Sequence, residues 1–255
     1  MKNIYKNSIK NLNVAKNILC ANKIIAVPTE TVYGLAGNAY SNAAVKKIFK
    51  LKKRPKINPL IIHYDSLKKL NKDAYLNSNF KKLYYKLSPG PITYILKKKK
   101  NSKISNFANA NLQTIAVRFP KNKTIKSLLK KLNFPLAIPS ANISSAVSPT
   151  DCNDVVDEFG NKIKFILDGG RSAIGLESTV IKLIGTIKIM RPGLISEKEI
   201  SKILNKKVTF TKPKKIKKVI SPGLLKRHYS PGIPIKLNCK KNDDKAAFIV
   251  LGKKY

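Results

Sequence analysis

Residues 24–63 read IIAVPTETVYGLAGNAYSNAAVKKIFKLKKRPKINPLIIH, and the rest of the chain is arranged around them. The stretch opens on an apolar run, Ile24-Ile25-Ala26-Val27, which reads as a buried strand. Pro28 closes that strand because it has no N–H to give to a ladder. Thr29-Glu30-Thr31-Val32-Tyr33-Gly34 is a loop carrying hydroxyls, a carboxylate and a phenol. A helix is expected from Asn42 to Leu51, where Ala44, Val45, Ile48, Phe49 and Leu51 recur at helical spacing, with Ser41 or Asn42 as its cap. Lys52-Lys53-Arg54-Pro55 follows, and Pro55 is expected to stop the helix. A second apolar strand, Leu60 to Ile62, delivers His63. One β–loop–α–loop–β unit thus brings hydroxyls, cations, Asn58 and His63 to the ends of its elements, where α/β sheets build sites.

The 255 residues suffice for one large domain, or for one domain and an appendage. No run of 18 apolar residues occurs, so no membrane-spanning helix is expected. The first residues, MKNIYKNSIKNLN, lack the apolar core of a signal peptide. Cys20, Cys152 and Cys239 are odd in number and show no pair spacing, as reduced thiols do, so a cytoplasmic location is expected. Two histidines in the whole chain argue against a histidine-based metal site.

The formal charge of +39 attracts polyanions. A coat of solvated lysine explains most of it, because only Arg54, Arg118, Arg171, Arg191 and Arg227 among the 52 basic residues are arginine. Scarce arginine is informative. Its planar fork grips carboxylates and phosphates in a way that lysine cannot, so each arginine here is a candidate for such a task.

Outside the central unit, residues 8–21 have the spacing of an amphipathic helix. Asp65-Ser66 caps a helix to about Leu70, and another runs from about Asn79 to Leu87. Ser88-Pro89-Gly90-Pro91 is a rigid turn before a strand, Ile92 to Leu96. Thr114 to Phe119 is a strand whose alternation puts Thr114, Ala116 and Arg118 on one face. A helix near Thr124–Leu132 precedes a buried strand, Pro135 to Pro139. Ser140 and Asn142 then stand two apart in extended backbone, so both can face one ligand. Ser148-Pro149-Thr150 opens a helix over 151–159 whose first N–H groups offer an anion site. Strands are expected at Phe165–Leu167, Glu177–Ile181 and Ile187–Arg191, and Ser196 with Glu199 marks the start of a last helix, to about Leu204.

The words PTETVYGL at 28–35, KxRP at 52–55, NPL at 58–60 and the histidine at 63 resemble the YrdC-like family, and within it the threonylcarbamoyl-AMP synthases. Further words agree: Pro89-Gly90-Pro91 with Thr93, AVRxP around Arg118, SAN at 140–142, DGG at 168–170, STV at 178–180 and RPG at 191–193. The resemblance implies an α/β fold, a twisted mixed β-sheet flanked by helices. It implies synthesis of L-threonylcarbamoyladenylate from L-threonine, bicarbonate and ATP with release of pyrophosphate, a nucleotidyltransferase reaction that feeds a tRNA threonylcarbamoyl transferase. The roles that carry over are specific. Thr31, His63, Arg118 and Ser178 bind threonine, with the backbone of Ile138 helping. Lys52, Arg54, Ser140 and Asn142 contact carbamate and phosphates. Arg54, Asn58, Thr114, Ser140, Ser148, Arg191 and Tyr229 contact ATP. Mg2+ accompanies the triphosphate through phosphate oxygens and water. Glu30 and Glu177 are helpers or structural carboxylates.

Ser221-Pro222-Gly223 and Arg227-His228-Tyr229-Ser230-Pro231 resemble the linker of the long form of these synthases, where it folds over the nucleotide site. The expected organisation is a catalytic domain over 1–205, a linker or lid over 206–232 and a remnant of a C-terminal domain over 233–255. Two other functions fit less of this pattern: a catalytically silent RNA-binding module of the same fold, with tRNA as a contact, and a related carbamoyl transferase.

Overall fold

The structure is a computed structural model that describes residues 3–211. Among those residues one mixed sheet runs in the order β1 (Ile4–Lys6), β8 (Ile166–Asp168), β2 (Ile25–Val27), β3 (Gly34–Asn38), β7 (Leu136–Ala137), β4 (Ile61–His63), β6 (Thr114–Arg118), β5 (Ile92–Lys97), β9 (Thr179–Lys182), β10 (Lys188–Arg191) and β11 (Thr209–Phe210). Helices α1 (Ile9–Cys20), α2 (Asn42–Lys52), α3 (Leu67–Leu70), α4 (Ser78–Leu87), α5 (Lys123–Lys130), α6 (Cys152–Phe159) and α7 (Glu197–Leu204) flank it. The α/β expectation holds.

Alternation along the strands sorts the core. Ile62, Val117, Tyr94, Leu96, Ile181 and Ile189 pack with Val45, Ile48 and Phe49 of α2, Phe80 and Leu83 of α4, and Ile200 and Leu204 of α7. Ile25 and Val27 of β2 pack with Leu12 and Leu19 of α1 and with Leu128 of α5, while Ala26 between them packs with Val155 and Phe159 of α6. Each fully buried aliphatic side chain contributes about 1.5–3 kcal/mol. The opposite face of the second half-sheet has a small apolar floor of Ile61, Ile95, Ala116, Val180 and Met190.

Register then places the polar groups. β4 and β6 pair in parallel with Ile61 opposite Ala116 and His63 opposite Arg118. Thr93 of β5 pairs with Arg118 from the other side. Thr93 also pairs with Val180 of β9, which pairs with Arg191 of β10. Since neighbouring strands lie about 4.8 Å apart, His63, Arg118, Thr93 and Arg191 form one row at one end of the apolar floor.

Three details depart from the sequence reading. The loop after Pro28 is followed by a strand, β3, so the central unit is β–β–α–β, with β2 and β3 antiparallel. Pro55 does not stop α2. The helix ends at Lys52, and Lys53 takes the left-handed conformation at φ 49°. Its N–H reaches Lys50 O, and the N–H of Arg54 reaches Phe49 O, which is a Schellman closure. Thirdly, the sheet continues beyond residue 205. Val208 is buried in the main core and β11 pairs with β10.

Candidate active site

A pocket opens at that polar end, lined among others by Thr31, Arg54, His63, Arg118, Ile138, Ser140, Glu177 and Arg191. The four described arginines divide cleanly: Arg54, Arg118 and Arg191 line the pocket, and Arg171 is exposed. The close fit of backbone at its floor requires Gly34. A Cβ there would lie 2.3 Å from Ile138 Cγ2 and 2.9 Å from Pro139 O.

Arg118 is buried, and two of its nitrogens are held. Nη2 donates to Glu30 Oε1 at 2.7 Å and Nη1 donates to Thr31 Oγ1 at 2.9 Å. The protons on the threonines can be assigned. Thr29 gives its single hydroxyl proton to Val32 O at 2.6 Å, so in the 2.9 Å contact between the two hydroxyls Thr31 is the donor. Thr31 therefore accepts from Arg118, donates to Thr29 and acts on a ligand through the arginine that it orients. Arg118 Nε is buried with no partner.

His63 sits beside it, 1 % exposed. Burial, then the Arg118 guanidinium, push its pKa well below the usual value, so the ring is neutral at neutral pH. Nδ1 lies 3.3 Å from Ile61 O, and Nε2 is buried without a partner. With the proton on Nδ1, Nε2 is a lone-pair acceptor.

Arg54 stands at the other side of the pocket. Nε donates to Asn58 O at 3.0 Å and Nη2 to Pro59 O at 2.9 Å. Burial, then the nearby Arg191, pull its pKa below the usual arginine value. Arg191 donates from Nε and Nη2 to Ser178 O at 3.1 and 2.9 Å, and from Nη2 to Ser178 Oγ at 3.2 Å. Ser178 Oγ is 2.7 Å from Thr93 Oγ1. Gly193 permits this arrangement, because a Cβ there would lie 2.4 Å from Thr179 N.

Lys52 and Asn142 lie behind the wall. Lys52, 1 % exposed, points its ammonium at Ser140 O (2.6 Å), at Asn142 O and at Asn142 Oδ1 (3.3 Å). Three donors meet three acceptors. Burial, then Arg54, pull its pKa well below the usual lysine value. Asn142 is equally occupied: Oδ1 accepts from Ser140 Oγ at 2.6 Å, and Nδ2 donates to Ile143 O and Ala146 O, each at 2.8 Å. Ser140 thus faces the pocket while Asn142 faces away, organising the loop that carries it. The helix N-terminus after Thr150 is no anion site, since Asp151 and Asp154 close its amides in a reciprocal capping box. Ser148 donates to Glu177 Oε1 at 2.5 Å, so its proton is engaged.

A family model described as telomere recombination, that of the Sua5, YciO and YrdC proteins, matches residues 17–193. The chain belongs to this family. The threonylcarbamoyl-AMP synthase of Pyrococcus abyssi is 37 % identical over 228 residues, which are 88 % of this chain and 66 % of that protein. That of Bacillus subtilis is 35 % identical over 239 residues, 92 % of this chain and 68 % of its own. The chain spans about two thirds of the length of these curated relatives. A crystal structure of P. abyssi Sua5 complexed with L-threonine superposes with a TM-score of 0.83 at 35 % identity, covering 89 % of this chain and 68 % of that one.

Of the residues expected from the sequence, the pocket gathers Thr31, Arg54, His63, Arg118, Ile138, Ser140 and Arg191. Ser178, Ser148, Asn58, Lys52 and Asn142 are one bond removed, attached to Arg191, Glu177, Arg54 and Ser140. Thr114 begins β6, four residues from Arg118 on the same face, at about 13 Å along the strand. Tyr229 and the rest of the expected lid beyond 211 lie outside the described residues. Sequence reasoning left Glu30 undecided and passed over Thr29. The alternation of hydroxyls around one carboxylate in Thr29-Glu30-Thr31 was the available signal.

Among the described residues, no helix is long and apolar enough to cross a membrane. No group of three or more His, Cys, Asp or Glu among them is placed to hold a metal ion.

Proposed function

We propose that this chain is a nucleotidyltransferase that makes L-threonylcarbamoyladenylate from L-threonine, bicarbonate and ATP, in the cytoplasm, for the modification of tRNA by a separate transferase. The observation that carries this reading is the pair of buried, unpartnered polar atoms in one pocket, Arg118 Nε and His63 Nε2. An α-amino acid satisfies both: its carboxylate accepts from Arg118, and a hydroxyl or amino group donates to His63. The threonine bound in the P. abyssi relative supports the choice of amino acid.

Three anionic groups must meet: a carboxylate, a carbamate and a triphosphate. The amine of threonine and bicarbonate condense to a carbamate with loss of water. A carbamate oxygen then attacks the α-phosphorus, and pyrophosphate leaves. No protein nucleophile is needed, and the rate comes from positioning and fixed positive charge. Arg118 orients the carboxylate. Arg54 and Arg191 face the phosphates, and Ser140, held by Asn142 and Lys52, lines the space between. Asn58, Thr114, Ser148 and Tyr229 complete the nucleotide contacts in this reading. Magnesium travels with the triphosphate on phosphate oxygens and water. Threonine over serine is a matter of one methyl group, worth about 1–3 kcal/mol.

The test is pyrophosphate release from ATP and bicarbonate, with and without L-threonine, beside Arg54→Ala. Threonine-dependent release that disappears in the variant is expected. Release independent of threonine would point to another acceptor, and no release from folded protein would overturn the synthase reading.

A further inference from the structure

Glu30 is a carboxylate bonded to Arg118, one of the arginines that line the pocket, and its geometry explains why it is there. It is 9 % exposed. Oε1 accepts from Arg118 Nη2 at 2.7 Å, while Oε2 accepts from the N–H groups of Lys121 at 2.9 Å and Asn122 at 3.2 Å. Its backbone carbonyl accepts from Ile174 N at 3.0 Å. Glu30 therefore ties together three segments, the loop after β2, the turn after β6 and the loop before β9. Burial opposes its charge, but Arg118 and the N–H bonds outweigh burial and hold the carboxyl below the usual range. With both oxygens occupied, Glu30 is neither a general base nor a ligand contact.

We infer that Glu30 is a positioning residue that sets the charge selectivity of the amino-acid subsite. It acts through Arg118 in two ways. It pins Nη2 while Thr31 pins Nη1, which fixes the guanidinium plane and leaves Nε unpartnered. It also cancels the arginine's charge. Because His63 is neutral, the subsite made by Glu30, Arg118 and His63 carries no net charge. Such a subsite suits a zwitterion, an ammonium and a carboxylate together. It discriminates against a simple anion, which would be welcome beside an uncompensated arginine. The phosphates of the second substrate are thereby kept to the end of the pocket that holds Arg54 and Arg191. This inference rests on the amino-acid reading of the site given above.

The test compares binding of L-threonine with binding of 3-hydroxybutyrate, the same skeleton without its amine and therefore an anion. Binding is measured by calorimetry on wild type, Glu30→Gln and Glu30→Asp. In Glu30→Gln, threonine affinity falls about tenfold or more, while the affinity of 3-hydroxybutyrate relative to threonine rises about tenfold. Glu30→Asp keeps the charge but withdraws it by one methylene. Its threonine affinity falls and the ratio of the two ligands stays near the wild-type value. ATP affinity and the melting temperature report whether each variant is folded. If Glu30→Gln does not fold, the Glu30→Asp ratio carries the test, and a large change in it overturns the inference. Equal loss for both ligands in Glu30→Gln reduces Glu30 to a structural part and also overturns it. Failure of the wild type to bind threonine at all would instead sink the function proposed above.

Discussion

The whole chain contains two histidines, and His63 is placed where a proton is poorly tolerated. This makes the acid side of neutrality an unusually clean window. Burial first, and the Arg118 guanidinium second, hold the pKa of His63 well below 6.5 in the folded protein. In the unfolded chain it titrates near 6.5. Between those values the unfolded state binds a proton that the folded state refuses. Stability therefore rises with pH, and it is lost as pH falls below 6.5 until the folded value is reached. Down to that folded value the loss accrues at up to about 1.4 kcal/mol per pH unit.

Lys52, whose pKa is also depressed, contributes with the same sign over a higher range, so the measurement must be a difference between variants. Glu30, held low, loses its contribution only as pH falls through the acid range below 4.5. Urea unfolding at intervals between about pH 8 and pH 5, on wild type and His63→Gln, isolates His63. Wild type loses more stability than His63→Gln over that range. A parallel decline in wild type and His63→Gln, within about 0.5 kcal/mol, would show that His63 is protonated in the fold and refute the assignment of Nε2 as an acceptor.

Three further outcomes follow from the same geometry. Arg118→Lys keeps the charge but loses the planar fork, so initial-rate kinetics should show kcat/KM for threonine falling about 100-fold, with KM for ATP within about twofold. Gly193→Ala places a Cβ 2.4 Å from Thr179 N and 2.7 Å from Glu177 O, both backbone; thermal melting should report a loss of about 1–3 kcal/mol or more, along with loss of threonine-dependent turnover. Lys53→Gly acts in the other direction. At φ 49° it relieves about 1–2 kcal/mol of left-handed strain against about 0.4–1 kcal/mol of added freedom in the unfolded chain. Because the Lys53 side chain is exposed, a melting temperature raised by about 1–3 °C with unchanged activity is expected.

The elements with strong apolar periodicity were legible in the sequence, as α1, α2, α4, β4 and β6 illustrate. The strand β3 was not. Gly34-Leu35-Ala36-Gly37-Asn38 has no β-branched residue, and it is a strand because β2 and β7 pair with it on either side. The stop of α2 was misjudged for a related reason. Proline is the conspicuous breaker, but the Schellman closure at Lys53 had already ended the helix. The arginine argument carried further, because a residue chosen for its fork in a lysine-rich chain reports a task wherever the chain folds.

What a sequence withholds is the destination of each proton. Thr31, Lys52, Ser140 and Asn142 read alike as polar groups for a ligand. Residue type fixes only what each can donate or accept. Which groups are left over for a substrate depends on carbonyls delivered from distant positions: Ser140 O and Asn142 O come to Lys52 across some ninety residues. Once those donors are assigned, the pocket divides into groups that hold and groups that touch. Lys52, Asn142, Thr31 and Glu30 spend their hydrogen bonds on the backbone, on one another and on Ser140, Thr29 and Arg118. Arg118 Nε and His63 Nε2 are buried and unsatisfied. A buried polar atom without a partner costs about 1–3 kcal/mol. Two such atoms from adjacent strands belong to residues that line one pocket, and in the function proposed above both are met by a single molecule with a carboxylate and a donor on neighbouring carbons.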